Sequence, residues 1–174
     1  MQRIANPYYV FKRRVGSTPT PSAIVLALLI VAKGCHPVHA DNHYTSLIVD
    51  LEKYVPVYVD SVKCQNNPKS DGWYQPTENS IHLCKTNIIN GWEKHKHQSV
   101  FKKVLMHEAV HLAQDCKAGF HNDDLSNIDL NTSVPSFVSK RYTKDRHKIE
   151  AEAFSYWHKG TLPLELVRKY CKLT

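Results

Sequence analysis

Apolar positions recur at helical spacing in several parts of the chain. In the opening stretch Leu51 follows Leu47 by four residues and Ile48 by three, so the three side chains share one helix face. The same spacing occurs in three later segments: at 99–114, which contains two histidines, at 148–157, which contains aromatic residues, and at 162–171 near the C-terminus. The predicted helices cover about residues 44–54, 99–114, 148–157 and 162–171.

Short runs of β-branched and aromatic residues lie between the first two predicted helices. Turn-forming residues at 66–72 and 75–80 separate these runs. The predicted strands are Val57–Cys64, Trp73–Tyr74 and Ile81–Cys84, which together indicate a small antiparallel sheet. We expect an α+β fold with an N-terminal helix. The polar segment 117–145 reads as a surface connection, with a cleft-bordering loop or a second cation site at 121–124 as the alternative.

Residues 1–40 have the pattern of an export signal. Basic residues precede an uninterrupted apolar run at 23–32, which is about half the length that a membrane-spanning helix needs. Val38 and Ala40 fit a cleavage site after Ala40, so we expect a mature domain at 41–174 with no stable membrane anchor, secreted or periplasmic. A lipoprotein cleavage before Cys35 is the weaker alternative, because Lys33 interrupts the apolar segment that it requires.

The net charge changes when the signal is set aside. Residues 1–40 hold five of the 23 basic residues and none of the 16 acidic ones, so the formal charge of +7 falls to +2 for the rest. A charge of +2 without an arginine cluster argues against nucleic acid as a partner. The most basic local patch, Trp92–His97, is interpreted as a solvated approach to a helix.

Four cysteines remain in the mature chain, an even number that favours disulfides in an exported protein. Local order favours the pairs Cys64–Cys84 and Cys116–Cys171 among three possible pairings. A zinc site built from cysteines is disfavoured, because the chain contains no Cys-x-x-Cys spacing.

The segment His107-Glu108-Ala109-Val110-His111 carries the strongest chemical signal in the chain. On a helix the two histidines lie about 40° apart, on the same side as the apolar stripe. Buried imidazoles need partners, and histidines one turn apart suit two corners of a tetrahedral zinc site. Glu108 would lie beside the ion, where it could bind an activated water.

A third ligand is expected downstream, because a catalytic zinc keeps three protein ligands and one open position. In the helix at 148–157, Glu150 lies on the apolar face that Ile149, Ala153 and Trp157 define. Glu152 lies on the opposite face and is interpreted as a solvated surface charge. The sequence therefore favours His107, His111 and Glu150 as the ligands.

These segments resemble the zincin metallopeptidases, and among them the gluzincins, which combine His-Glu-x-x-His with a glutamate from a second helix. Glu150 and Ala153 match the Glu-x-x-Ala part of that second helix, but Phe154 stands where the family has Asp or Asn to orient a histidine ligand. The related metzincins would need glycine at position 114 and histidine at 117, where this chain has Gln114 and Lys117.

The resemblance implies a zincin-like, disulfide-stapled domain that hydrolyses polypeptides. A zinc-activated water would attack the peptide bond, with Glu108 as general base. Tyr156, Tyr142 and His147 are open candidates for the oxyanion donor, and strand residues 81–83 are nominated for backbone contacts with substrate. The alternative functions are a secreted binding protein with a structural zinc site and an interaction module without zinc.

Overall fold

The computed structural model describes residues 42–120 and 124–172. The proposed signal at 1–40, the first mature residue Asp41 and most of the segment 121–124 lie outside the described residues. Within them the fold is α+β. The helices are α1 (Asn42–Glu52), α2 (Val62–Asn66), α3 (Lys85–Gly91), α4 (His97–Ala118), α5 (Ser136–Ser139), α6 (His147–Tyr156) and α7 (Leu162–Tyr170), and the strands are β1 (Val57–Val59), β2 (Gly72–Gln75) and β3 (Ser80–Leu83).

The three-stranded sheet is mixed, with β3 in the centre. β2 pairs with β3 in antiparallel register, whereas β1 pairs with β3 in parallel register. The expectation of an antiparallel sheet is therefore wrong for one of the two pairings. Because α2 and β2 lie between β1 and β3 in the chain, β1 can join β3 by a crossover rather than by a hairpin.

The first strand is shorter than predicted, because the chain turns at Asp60. This residue has a left-handed backbone conformation, and its carboxylate accepts hydrogen bonds from the backbone N–H and the hydroxyl of Thr86. The chain then enters α2, so Val62 is an exposed helical residue rather than part of a strand. The strand thus ends, at a residue held by Thr86 of α3, before its β-branched pattern does.

Helix α4 crosses the centre of the fold and carries the main core. Its residues 104–116 are buried, and it packs against β2, α6 and α7. The helix extends beyond the predicted end at Gln114 and stops at Gly119, whose left-handed conformation lets its N–H bond back to the last turn. No helix among the described residues is long and apolar enough to cross a bilayer.

Both predicted disulfides are present. Cys64–Cys84 joins α2 to the end of β3, and Cys116–Cys171 joins the last turn of α4 to the end of α7. Two disulfides in one small domain indicate an oxidising, extracellular environment.

The buried histidine of the central strand stabilises the sheet in its neutral form. The ring of His82 is stacked between Tyr58 and Trp73, and its two nitrogens lie 3.1 Å from the hydroxyls of Ser61 and Ser80. Burial, reinforced by the charge of Lys63, lowers the pKa of His82 to about 4.

This lowered pKa predicts a specific sensitivity to acid. Because the unfolded chain binds a proton at His82 near pH 6.5 and the folded chain only near pH 4, stability is complete above pH 6.5 and falls between the two values. The parent should lose about 3 kcal/mol of unfolding free energy between pH 7 and pH 4 through His82, and His82→Gln should abolish this part of the loss, measured by urea denaturation. The exposed His158→Gln is the control. An equal acid loss in the parent and in His82→Gln would contradict the prediction.

Candidate metal centre

Helices α4 and α6 bring the three predicted ligands together. His107 and His111 lie one turn apart on α4, and Glu150 lies in the first turn of α6. All three side chains are buried, with 2–4% of their surface exposed. The two histidine Nε2 atoms are 3.1 Å apart, and Glu150 Oε2 lies 3.4 Å from His107 Nε2 and 3.6 Å from His111 Nε2.

This triangle has the dimensions of a metal site. A point equidistant from its three corners lies about 2.0 Å from each atom, which is close to the bond length of zinc to histidine nitrogen or carboxylate oxygen. The three residues could therefore hold a metal ion. We find the same three residues that helix periodicity selected from the sequence.

The electrostatics of the triangle favour a positive charge at its centre. Burial alone would lower the pKa of His111, but the negative charges of Glu150 and Glu108 outweigh burial and raise it. Burial alone would raise the pKa of Glu150, but His111 and His107 outweigh it and hold that pKa far below its usual range. A bound cation would satisfy both groups in place of a proton.

Gln114 orients the second histidine. The Gln114 side-chain Nε2 donates to Glu152 Oε2 at 2.6 Å and to the backbone carbonyl of Ile149 at 3.1 Å, so its Oε1 faces the ring of His111. His111 Nδ1 lies 2.8 Å from that oxygen and must donate the hydrogen bond. A neutral His111 then carries its lone pair on Nε2, pointing towards the centre of the triangle.

The interpretation of Glu152 as a solvated surface charge is wrong. Its side chain is completely buried, and besides Gln114 it accepts hydrogen bonds from the backbone N–H groups of Ile128 and Asp129. The loop before α5 covers the face of α6 that periodicity assigned to solvent. Glu152 therefore holds the side chain of Gln114, which in turn bonds to His111.

His107 is held mainly by aromatic contacts. The ring of Phe154 lies 4.4 Å from its ring centre and the ring of Trp157 lies 6.2 Å away. Its Nδ1 atom is buried and has no hydrogen-bond partner within the described residues. Phe154 thus packs against one of the three candidate ligands.

Glu108 lies on the same helix, next to the triangle. Its Oε2 accepts a hydrogen bond of 2.8 Å from the backbone N–H of Tyr74 in β2, and only 2% of the residue is exposed. Burial raises the pKa of this carboxyl group, and the charge of Glu150 adds to the effect, while His107 and His111 oppose it. A carboxyl group whose pKa is raised is a better proton acceptor when ionised.

Among the three candidates for the oxyanion donor, Tyr142 lies at the site. Its hydroxyl hydrogen-bonds to Glu150, and burial together with the charges of Glu150 and Glu108 raises its pKa, so the phenol keeps its proton. His147 instead bonds through Nε2 to the backbone carbonyl of Tyr142. The pKa of Tyr156 is raised by partial burial and by the charges of Glu152 and Asp129. Tyr156 therefore lies near Glu152 rather than near Glu150.

The strand nominated for substrate contacts is not at an edge. Residues 81–83 belong to β3, which is paired on both sides, so that nomination is wrong. The edge strand next to Glu108 is β2, whose Tyr74 N–H already reaches the Glu108 carboxylate.

Comparison with known proteins gives one match. No curated protein and no solved structure matches the chain. Residues 42–172, more than half of the chain, match the family described as "Domain of unknown function (DUF8637)". The chain therefore belongs to the DUF8637 family.

Proposed function

We propose that this protein is an exported, zinc-dependent metallopeptidase. The observation that carries the proposal is the buried triangle of His107, His111 and Glu150, with a second acidic side chain, Glu108, beside it. The disulfides are consistent with export, and the apolar run at 23–32 with an export signal.

The donor atoms favour zinc over other common cations. Two imidazole nitrogens and one carboxylate oxygen form a typical catalytic zinc set, whereas Mg²⁺ and Ca²⁺ prefer six or more oxygen ligands. The separations of 3.1–3.6 Å between ligand atoms match the edge of a zinc tetrahedron, about 3.3 Å. Three ligands leave one corner of that tetrahedron for water or substrate.

In the proposed hydrolysis, the zinc ion and the protein side chains have separate roles. Zinc in this position would make water nucleophilic near neutral pH and polarise a substrate carbonyl. Glu108 accepts the proton of the attacking water and then passes it to the leaving amine. The Tyr142 phenol is kept protonated by its surroundings and donates to Glu150 here, so it would serve as the oxyanion donor by turning its O–H from Glu150 to the oxygen that becomes negative.

The alternative is a binding protein in which zinc is only structural. Glu108 favours this alternative, because its carboxylate is buried and bound to the Tyr74 N–H, as a purely structural group would be. The two functions differ in turnover. Both functions predict one zinc ion per chain, but only the peptidase function predicts peptide hydrolysis that depends on Glu108.

Zinc content and proteolysis test the proposal together. We expect elemental analysis of the purified protein to find one zinc ion per chain, and casein or a peptide library to be cleaved until a chelator is added. His111→Ala should lose both the metal and the activity, whereas the exposed His158→Ala should keep both. A parent protein without zinc would contradict both functions, and zinc without cleavage would support the structural alternative.

The orienting role of Gln114 predicts a change in zinc affinity. Gln114→Leu removes the acceptor that fixes the His111 tautomer and leaves Glu152 without its side-chain partner. We expect zinc to bind about 10- to 100-fold more weakly in this variant, measured by competition with a chromogenic chelator. The exposed Gln65→Leu is the matched control. An unchanged affinity in Gln114→Leu would show that Gln114 does not orient the ligand.

A further inference from the structure

A cavity of about 400 Å³ lies at the other end of α4 from the Gln114 network. It opens between α1, α3 and the first turn of α4, and none of the metal-site residues lines it. Its volume is within the range of small-molecule pockets, about 300–1,000 Å³. Its apolar walls are formed by Tyr44, Ile48, Val59, Ile88, Ile89 and Phe101.

Among the described residues, the rest of the lining is polar and includes positively charged but no negatively charged side chains. Lys85, Lys94, His95 and His97 line the cavity together with one glutamine, and no aspartate or glutamate of the described part of the chain contributes. His95 pairs with Glu93 at 3.4 Å, but neither Lys85 nor Lys94 forms an ion pair within the described part of the chain. The basic patch at 92–97 was interpreted from the sequence as solvated. Three of its residues instead line the apolar cavity, together with Lys85 from α3.

We propose that this cavity binds a small amphiphile with an alkyl body and one anionic head group, and that this ligand is a free alkyl carboxylate. The mainly aliphatic walls offer little directional hydrogen bonding, which suits an alkyl chain better than a polypeptide backbone. Lys85 and Lys94, which both line the cavity, can supply the positive charge that a carboxylate needs. This inference does not rest on the proposed peptidase activity.

Chain length and head-group charge separate this ligand from unspecific hydrophobic binding. Because each buried methylene contributes up to about fourfold in affinity, we expect binding to tighten stepwise from hexanoate to decanoate. Decanoate should bind at one site per chain and at least about tenfold more tightly than 1-decanol, which has the same chain without the charge.

The experiment is isothermal titration of the full chain after removal of metal with a chelator, so that no carboxylate can bind to zinc. Lys85→Gln with Lys94→Gln should weaken decanoate about tenfold and leave 1-decanol unchanged. Lys140→Gln with Lys144→Gln makes the same change in charge at exposed positions that do not line the cavity, and it should leave decanoate binding intact. Ile89→Glu, at a half-exposed wall position, should abolish decanoate binding without disturbing the core.

Each contrary result overturns the proposal. Equal affinities for decanoate and 1-decanol would show that the lysines do not bind the head group. An equal loss of decanoate affinity in the two double variants would show the same. Phosphatidylglycerol and phosphatidylcholine vesicles distinguish the source of the anionic head group. Binding to phosphatidylglycerol vesicles without saturable binding of decanoate would mean that the basic rim recognises a membrane surface, and the cavity would not be a site for a free amphiphile.

Discussion

Glu108→Gln is expected to lower kcat/KM for peptide hydrolysis by about 10²- to 10⁴-fold while the protein keeps one zinc ion per chain. Glutamine has the same shape as glutamate, and its Oε1 can still accept the hydrogen bond from the Tyr74 N–H. It cannot take a proton from water, so only the acid–base step is lost. Activity on a fluorogenic peptide and zinc content by elemental analysis measure the two effects separately.

Stability must be checked in the same samples, because Glu108 is buried. Thermal unfolding should show Glu108→Gln close to the parent, and the exposed Glu52→Gln should match the parent in every measurement. Full activity in Glu108→Gln would contradict the role of Glu108 as general base. Loss of zinc in that variant would show instead that Glu108 supports the metal site rather than the chemistry.

The clustering of His107, His111 and Glu150 could be predicted from the sequence because helix geometry is local. Residues 107 and 111 share a face of any α-helix, and Glu150 lies on the apolar face of its own helix whatever that helix packs against. The disulfides were also predictable, because four cysteines allow only three pairings and the observed one joins each cysteine to a neighbour in sequence order.

Glu152 shows where this local reasoning fails. The periodicity of α6 assumes one buried face and one solvated face, but a loop from residues 124–130 covers the second face and presents two backbone N–H groups to the carboxylate. Nothing in the spacing of apolar residues reports a contact between a helix and an irregular loop. A weak signal was available, since Gln114 lies one turn after His111 and needs a partner if it is buried.

The sheet was mispredicted for a related reason. Strand spacing indicates which residues are extended, but the direction of pairing depends on contacts far apart in sequence. Here β1 joins the far side of β3 instead of pairing with β2, its nearest strand in the chain. That order places β3 in the centre and leaves β2 as the edge beside Glu108.

Removal of the Cys116–Cys171 disulfide should destabilise the protein by about 4 kcal/mol. The bridge closes a sequence separation of 55 residues, and in the chain-entropy model a loop of this length restricts the unfolded chain by roughly that amount. It also fixes α7 against the last turn of α4, two residues beyond Gln114. Cys116→Ala with Cys171→Ala should therefore lower the urea midpoint, with zinc held in excess so that metal loss does not contribute.

The second disulfide provides the comparison. Cys64–Cys84 spans a separation of 20 residues, for which the same model gives about 3 kcal/mol. Both double variants should be clearly destabilised, but only the loss of Cys116–Cys171 should also weaken zinc binding, because that bridge anchors the helix that carries both histidines. If removing Cys116–Cys171 costs less than about 1 kcal/mol, packing of α7 against α4 holds the C-terminus without the covalent link. Equal zinc affinities in the two variants would show that the end of α4 does not transmit strain to His111.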